Sequence, residues 1–134
     1  MSARLRRSPL AVVSACVVLA LSQPGCGRRA YAEVPASEVL TEMRGDARPL
    51  VLDVRTPAEF SAGHVPGALN ISIDELGQRI RELADHRDSD IVVYCERGPR
   101  AVKAAGLLAD AGFGSVRHME GDMSGWRAAG LPIE

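Results

Sequence analysis

From residue 33 onward the chain alternates short apolar runs with stretches whose apolar residues recur at helical spacing. Leu50-Val51-Leu52-Asp53-Val54 is a continuous β-type run, as expected of a strand buried on both faces. Ile91-Val92-Val93-Tyr94 reads the same way, and Ala68 to Ile71 and Ser115 to Met119 read as further strands. Val34 and its neighbours suggest a short edge strand. Ser37 to Arg44 predicts a helix with Ser37 as its N-cap and Gly45 as its stop. Thr56-Pro57-Ala58-Glu59 opens the next one: Thr56 caps, Pro57 takes the first turn, Glu59 completes a capping box, and Gly63 ends the helix. Asp74 to Leu83 carries the stripe Leu76, Ile80, Leu83. Arg100 to Ala111 is Ala/Leu-rich and closed by Gly112, and Ser124 to Ala129 is a short last helix. Alternating strands and helices imply an α/β sandwich with a mostly parallel sheet. Sites in such sheets form beyond the carboxyl ends of the strands. Asp53 and Cys95 both stand at such ends.

The first 32 residues follow a different pattern. Arg4, Arg6 and Arg7 precede an apolar run from Pro9 to Leu21, broken only by Ser14. That run falls short of the roughly 20 residues needed to span a bilayer and fits the apolar part of an export signal. Two processing sites compete. Ala30-Tyr31-Ala32 is an Ala-x-Ala cleavage signature, whereas Cys26, after Gly25, suits the lipidated first residue of a bacterial lipoprotein. Either choice makes residues 33–134 the working domain and places it in the periplasm or cell envelope. Contact with the membrane is then expected only through the signal or a lipid anchor at Cys26.

The chain has 134 residues, enough for one ordinary domain. Its composition, 46% hydrophobic and 25% charged, excludes a disordered or low-complexity chain. Net charge is -1, but five arginines and no acid lie in the first 32 residues. Of 16 basic and 17 acidic side chains, the body keeps 11 and 17. An acidic body lacks the electrostatic footprint of a nucleic-acid binder. No Gly-rich phosphate-binding motif appears, so nucleotide cofactors have no support. His86 and His118 lack partners at metal-ligand spacing, so no metal is expected.

Three cysteines cannot form a disulfide framework, and Cys95 is the only one in the body. It opens the segment Cys95-Glu96-Arg97-Gly98-Pro99-Arg100-Ala101, where a strand ends, a glycine turns the chain and a helix begins. Backbone N–H groups from Glu96 to Ala101 would then surround the sulfur, and the helix N-terminus adds a favourable dipole. Both favour the thiolate, and Arg97 and Arg100 add positive potential. A buried structural cysteine is the alternative, but it requires neither the glycine turn nor two arginines nearby.

Leu52-Asp53-Val54-Arg55-Thr56-Pro57-Ala58-Glu59-Phe60 and Gly63-His64-Val65-Pro66-Gly67-Ala68-Leu69-Asn70-Ile71 resemble the first signature of rhodanese-like domains. The Cys95 segment resembles that family's active-site loop. Gly121-Asp122-Met123-Ser124-Gly125-Trp126 with Ala129-Gly130-Leu131-Pro132 resembles its C-terminal signature. The resemblance implies a three-layer α/β sandwich with a five-stranded, mostly parallel sheet flanked by helices. It also implies sulfurtransfer without a cofactor. The Cys95 thiolate takes the outer sulfur of thiosulfate or a similar anionic donor and passes it to cyanide or a thiol. A noncatalytic docking or regulatory module is the alternative use of the family. Phosphatases and arsenate reductases of the same fold have five residues between Cys and Arg; here four separate Cys95 from Arg100.

Several residues carry two readings. Asp53 either orients the Cys95 loop or Arg55, or caps its own loop. Arg55 either binds an anionic donor or pairs with an acid. His64 either supports the site or hydrogen-bonds backbone in a turn. Glu96 opposes the thiolate if it points inward. Trp126, Met119 and Met123 are expected in the core.

Overall fold

The computed structural model describes residues 31–134. The expected export signal, with Cys16 and Cys26, lies outside them apart from Tyr31 and Ala32. Five strands form one sheet: β1 Ala32–Val34, β2 Leu50–Asp53, β3 Leu69–Asn70, β4 Asp90–Tyr94 and β5 Ser115–Met119. Their order is β1-β5-β4-β2-β3, and all four pairings are parallel. The helices are α1 Ala36–Met43, α2 Pro57–Ser61, α3 Ile73–Arg79, α4 Pro99–Asp110 and α5 Asp122–Ala128, with a 3₁₀ stretch at Ile80–His86.

Strand alternation divides the core into two layers. Leu52, Ile91 and Val93 face one side and meet Ile73, Leu76 and Leu83 with Ala101, Ala104 and Leu108 of α4. Val51, Val92 and Tyr94 face the other and meet Val39 of α1 with Met123 and Trp126 of α5. Central strands buried on both faces explain the unbroken apolar runs in the sequence. Trp126, Met119 and Met123 are core, as expected.

Local differences from the sequence reading have local causes. The capping box at Thr56 and Glu59 forms as read, with Pro57 at the first turn. α1 begins at Ala36 with Pro35 as N-cap, so Ser37 lies inside the helix and does not cap. The helix expected over 74–83 tightens to 3₁₀ after Arg79. There Arg79 pairs with Glu82 three residues on, the spacing a tighter turn eclipses. α5 starts two residues before Ser124 because Gly121 and Asp122 take left-handed conformations, with φ 75° and 53°.

The topology positions the site. β2 and β4 are neighbours, with Asp53 opposite Tyr94. Their carboxyl ends therefore bring the 53–55 turn beside the Cys95 loop.

Candidate active site

Cys95 follows β4 directly and leads through a short loop into α4. Gly98 is the N-cap of that helix at φ 113°, a value that residues with a Cβ rarely adopt. This conformation turns its N–H toward the sulfur, and the Gly98 amide donates to Cys95 Sγ at 3.0 Å. The residue is 1% exposed. Among the described residues Gly98 supplies the one backbone donor seen on the sulfur. Pro99 has no N–H to offer, and Ala101 packs its side chain into the core.

Around the sulfur, charge is closely paired. Arg100 stands at the start of α4 and grips Glu59 with both terminal nitrogens, each at 2.8 Å. Glu59 and, more weakly, the sulfur of Cys95 hold Arg100 in its charged form. In turn the Arg100 hydrogen bonds pull the Glu59 carboxyl down to about 2, with the Thr56 cap assisting against partial burial. Arg97 is exposed.

Arg55 does not serve as an exposed anion receptor. It is wholly buried, and all three of its guanidinium nitrogens are occupied. Nε donates to both Asp53 oxygens at 3.0 and 3.1 Å. Nη2 donates to Asp53 Oδ2 at 2.7 Å and to the Gly63 carbonyl at 2.9 Å. Nη1 reaches Glu96 Oε2 at 3.2 Å. Of the two readings of Arg55, the structure shows the pairing with acids. Arg55 ties the β2 end, the end of α2 and the Cys95 loop together. Asp53 pairs with the Arg55 side chain and also accepts the Arg55 backbone N–H at 2.9 Å.

Glu96 faces away from the sulfur into a set of donors: Arg55, Ser124 Oγ at 3.1 Å and Arg127 Nη1 at 2.6 Å. Burial alone would raise its carboxyl, but the Arg127 and Ser124 hydrogen bonds outweigh it and hold the group below its usual range. Its charge is therefore spent on the arginines. His64 lies between α2 and β3. Its Nδ1 meets the Phe60 carbonyl at 2.9 Å and its ring stacks on Phe60 at 3.6 Å. Its backbone pairs with Glu134 in both directions.

Two residues escaped the sequence reading. Asp122 Oδ1 accepts the Cys95 backbone N–H at 2.8 Å, and both Asp122 oxygens meet His118 Nε2 at 3.1 Å. The sequence traces of that pair are the i,i+4 spacing of His118 and Asp122 and the place of Asp122 in the C-terminal signature.

Among the described residues Cys95 is the lone cysteine, set between the buried parallel strand β4 and the N-terminus of α4, beside the paired Arg100. The chain belongs to the rhodanese-like domain family, whose model matches residues 36–129. A sulfurtransferase of Allochromatium vinosum is 36% identical over 98 residues, covering 72% of this chain and 90% of that protein. The chloroplastic thiosulfate sulfurtransferase 16 of Arabidopsis thaliana is 37% identical, covering 62% of this chain and 78% of that one. An HTH-type transcriptional regulator of Mycobacterium tuberculosis is 45% identical over 87 residues, but only 37% of its length is matched. A rhodanese-related protein of Thermoplasma volcanium shares the fold with a TM-score of 0.70 at 30% identity, covering 78% of this chain and 98% of that structure.

Proposed function

We propose that the protein is a sulfurtransferase that carries sulfur as a persulfide on Cys95, with thiosulfate or a similar anionic sulfane compound as donor. The observation that carries this reading is the Gly98 N–H on Cys95 Sγ at 3.0 Å, at the N-terminus of a twelve-residue helix. An amide and a helix dipole stabilise first the thiolate and then the terminal persulfide sulfur.

The chemistry balances without a cofactor. The Cys95 thiolate attacks the outer sulfur of thiosulfate; the S–S bond of the donor breaks and sulfite leaves with the electron pair. Cyanide or an acceptor thiolate then attacks the outer persulfide sulfur. Thiocyanate or an acceptor persulfide departs, and the Cys95 thiolate returns. Arg100 stands beside the sulfur with its charge paired to Glu59, and the exposed Arg97 supplies positive charge for the anionic donor. Thiocyanate production from thiosulfate and cyanide tests the reading. The full chain should turn over and Cys95→Ala should not; equal rates in both would refute it.

A docking module is the second reading, favoured by the rhodanese-like match within the mycobacterial regulator. Under it, no sulfane donor would leave sulfur on Cys95.

For location, we propose export to the periplasm or cell envelope with processing at Cys26. Tyr31 packs against the core and sits edge-on to His118 at 5.7 Å, and Ala32 pairs with Arg117 in the sheet. Cleavage after Ala32 would remove both from the fold; processing at Cys26 keeps them.

A further inference from the structure

The seat beneath Cys95 is built by residues that sulfur chemistry does not itself require. Gly121 and Asp122 adopt successive left-handed conformations, with φ 75° and 53°. Asp122 is the one non-glycine residue at positive φ among the described residues. Such a backbone is unfavourable for residues with a Cβ, although aspartate tolerates it better than most. Strain of this kind persists where the surroundings over-determine it, and it is found at functional sites.

Here it places two groups against the backbone of residue 95. The Asp122 carboxylate accepts the Cys95 N–H at 2.8 Å, and the Met123 N–H donates to the Cys95 carbonyl at 3.0 Å. Residue 95 is thus gripped from both sides by the start of α5. His118, on β5 beside Val93 of β4, holds both carboxylate oxygens through Nε2 at 3.1 Å. Both side chains are buried. His118 Nδ1 has no hydrogen-bond partner among the described residues, so the polar commitment of the ring goes to Asp122. Gly98 closes the arrangement. A Cβ there would lie 3.3 Å from Asp122 Oδ2 and 3.8 Å from His118 Cε1. The residue whose amide meets the sulfur therefore rests directly on the Asp122–His118 pair.

We propose that Asp122, oriented by His118, is a positioning residue that sets the Cys95 peptide and the Gly98 amide relative to each other, and with them the attack geometry of the sulfur. This deepens the sulfurtransfer reading and rests on it for its catalytic consequence. A misplaced nucleophile lowers the rate of the chemical step and leaves donor binding largely intact. A turn that served only stability would change the melting temperature without changing the reactivity of the folded protein.

The test uses the full chain and two readouts. One is iodoacetamide alkylation of Cys95, followed on its own peptide by mass spectrometry so that Cys16 and Cys26 do not contribute. The other is kcat and KM for thiosulfate in the cyanide assay. Asp122→Gly relieves the backbone and removes the acceptor. Asp122→Asn tolerates the left-handed backbone and keeps an oxygen for the Cys95 N–H. Asp122→Gly should slow both alkylation and kcat roughly tenfold with KM within about twofold, and Asp122→Asn should restore most of the rate. If Asp122→Gly does not fold, His118→Phe carries the test. It keeps a ring and loses the donor, and should slow alkylation several-fold, while His118→Gln, which retains a donor, recovers it. Unchanged alkylation and kcat in Asp122→Gly would overturn the proposal. So would equal losses in Asp122→Gly and Asp122→Asn, or a change in KM alone. Alkylation needs no sulfur donor. A parent protein that alkylates but never gains sulfur would sink the transfer reading while the alkylation comparison still decides this one.

Discussion

Replacing Arg55 with methionine should destabilise the domain by about 3–5 kcal/mol. Arg55 and Asp53 are both fully buried, and the guanidinium satisfies Asp53, Glu96 and the Gly63 carbonyl at once. Methionine fills much of the volume but leaves the Asp53 carboxylate with the residue 55 backbone N–H and no countercharge. An orphaned buried charge is the costly half of a broken ion pair. In a domain of this size each kcal/mol moves Tm by about 4–8 °C, so a fall of at least about 12 °C is expected. Trp126, the sole tryptophan and fully buried, reports unfolding in urea by fluorescence. Adding Asp53→Asn to Arg55→Met removes the uncompensated charge, so the double variant should be more stable than Arg55→Met alone. A single-variant loss below about 1 kcal/mol, or a double variant no better than the single, would refute the electrostatic account.

Other expectations concern the loop and its surroundings. Gly98→Ala places a Cβ at φ 113° and 3.3 Å from Asp122 Oδ2, so it should cost about 1–3 kcal/mol and abolish persulfide formation; a fully active variant would contradict the geometry. The Glu59 carboxyl falls from an ordinary 4.5 to about 2 in the fold, so the stability it contributes is complete above pH 4.5 and disappears as pH drops toward 2. Because the side chain is 34% exposed, screening reduces that contribution to about 1 kcal/mol. Glu59→Gln should therefore unfold earlier than the parent at pH 7 and alongside it near pH 2, as read by urea midpoints; a difference that persists in acid would exclude the ion pair as its cause. The first residue of the mature protein should be a lipidated Cys26, readable by mass spectrometry, and a chain starting at Glu33 would contradict the packing argument from Tyr31.

The alternation of apolar runs revealed the sheet and its layers because burial on both faces leaves a period-free signature that needs no partner to be recognised. The Thr56–Glu59 capping box was equally legible, since all its groups lie within four residues. Cys95 stood out by isolation and by the turn after it. What stayed hidden was non-local. Arg55 could be seen as a cation, but its burial depends on Gly63 and Glu96, which the fold brings together. The contact of Asp122 with Cys95 has no local signature, because its partner is an amide 27 positions away. The left-handed backbone that aims it at Cys95 leaves no hydropathy pattern. Ser37 misled for the opposite reason: a good capping residue stood one turn position inside a helix already begun at Ala36.

The central claim concerns one atom, and weighing the protein addresses it most directly. The full chain, reduced, desalted and incubated with thiosulfate, should gain the mass of one sulfur atom at the Cys95 peptide, lose it on adding cyanide, and gain none as Cys95→Ala. A Cys95 peptide of unchanged mass with thiosulfate and with other sulfane donors would contradict the account.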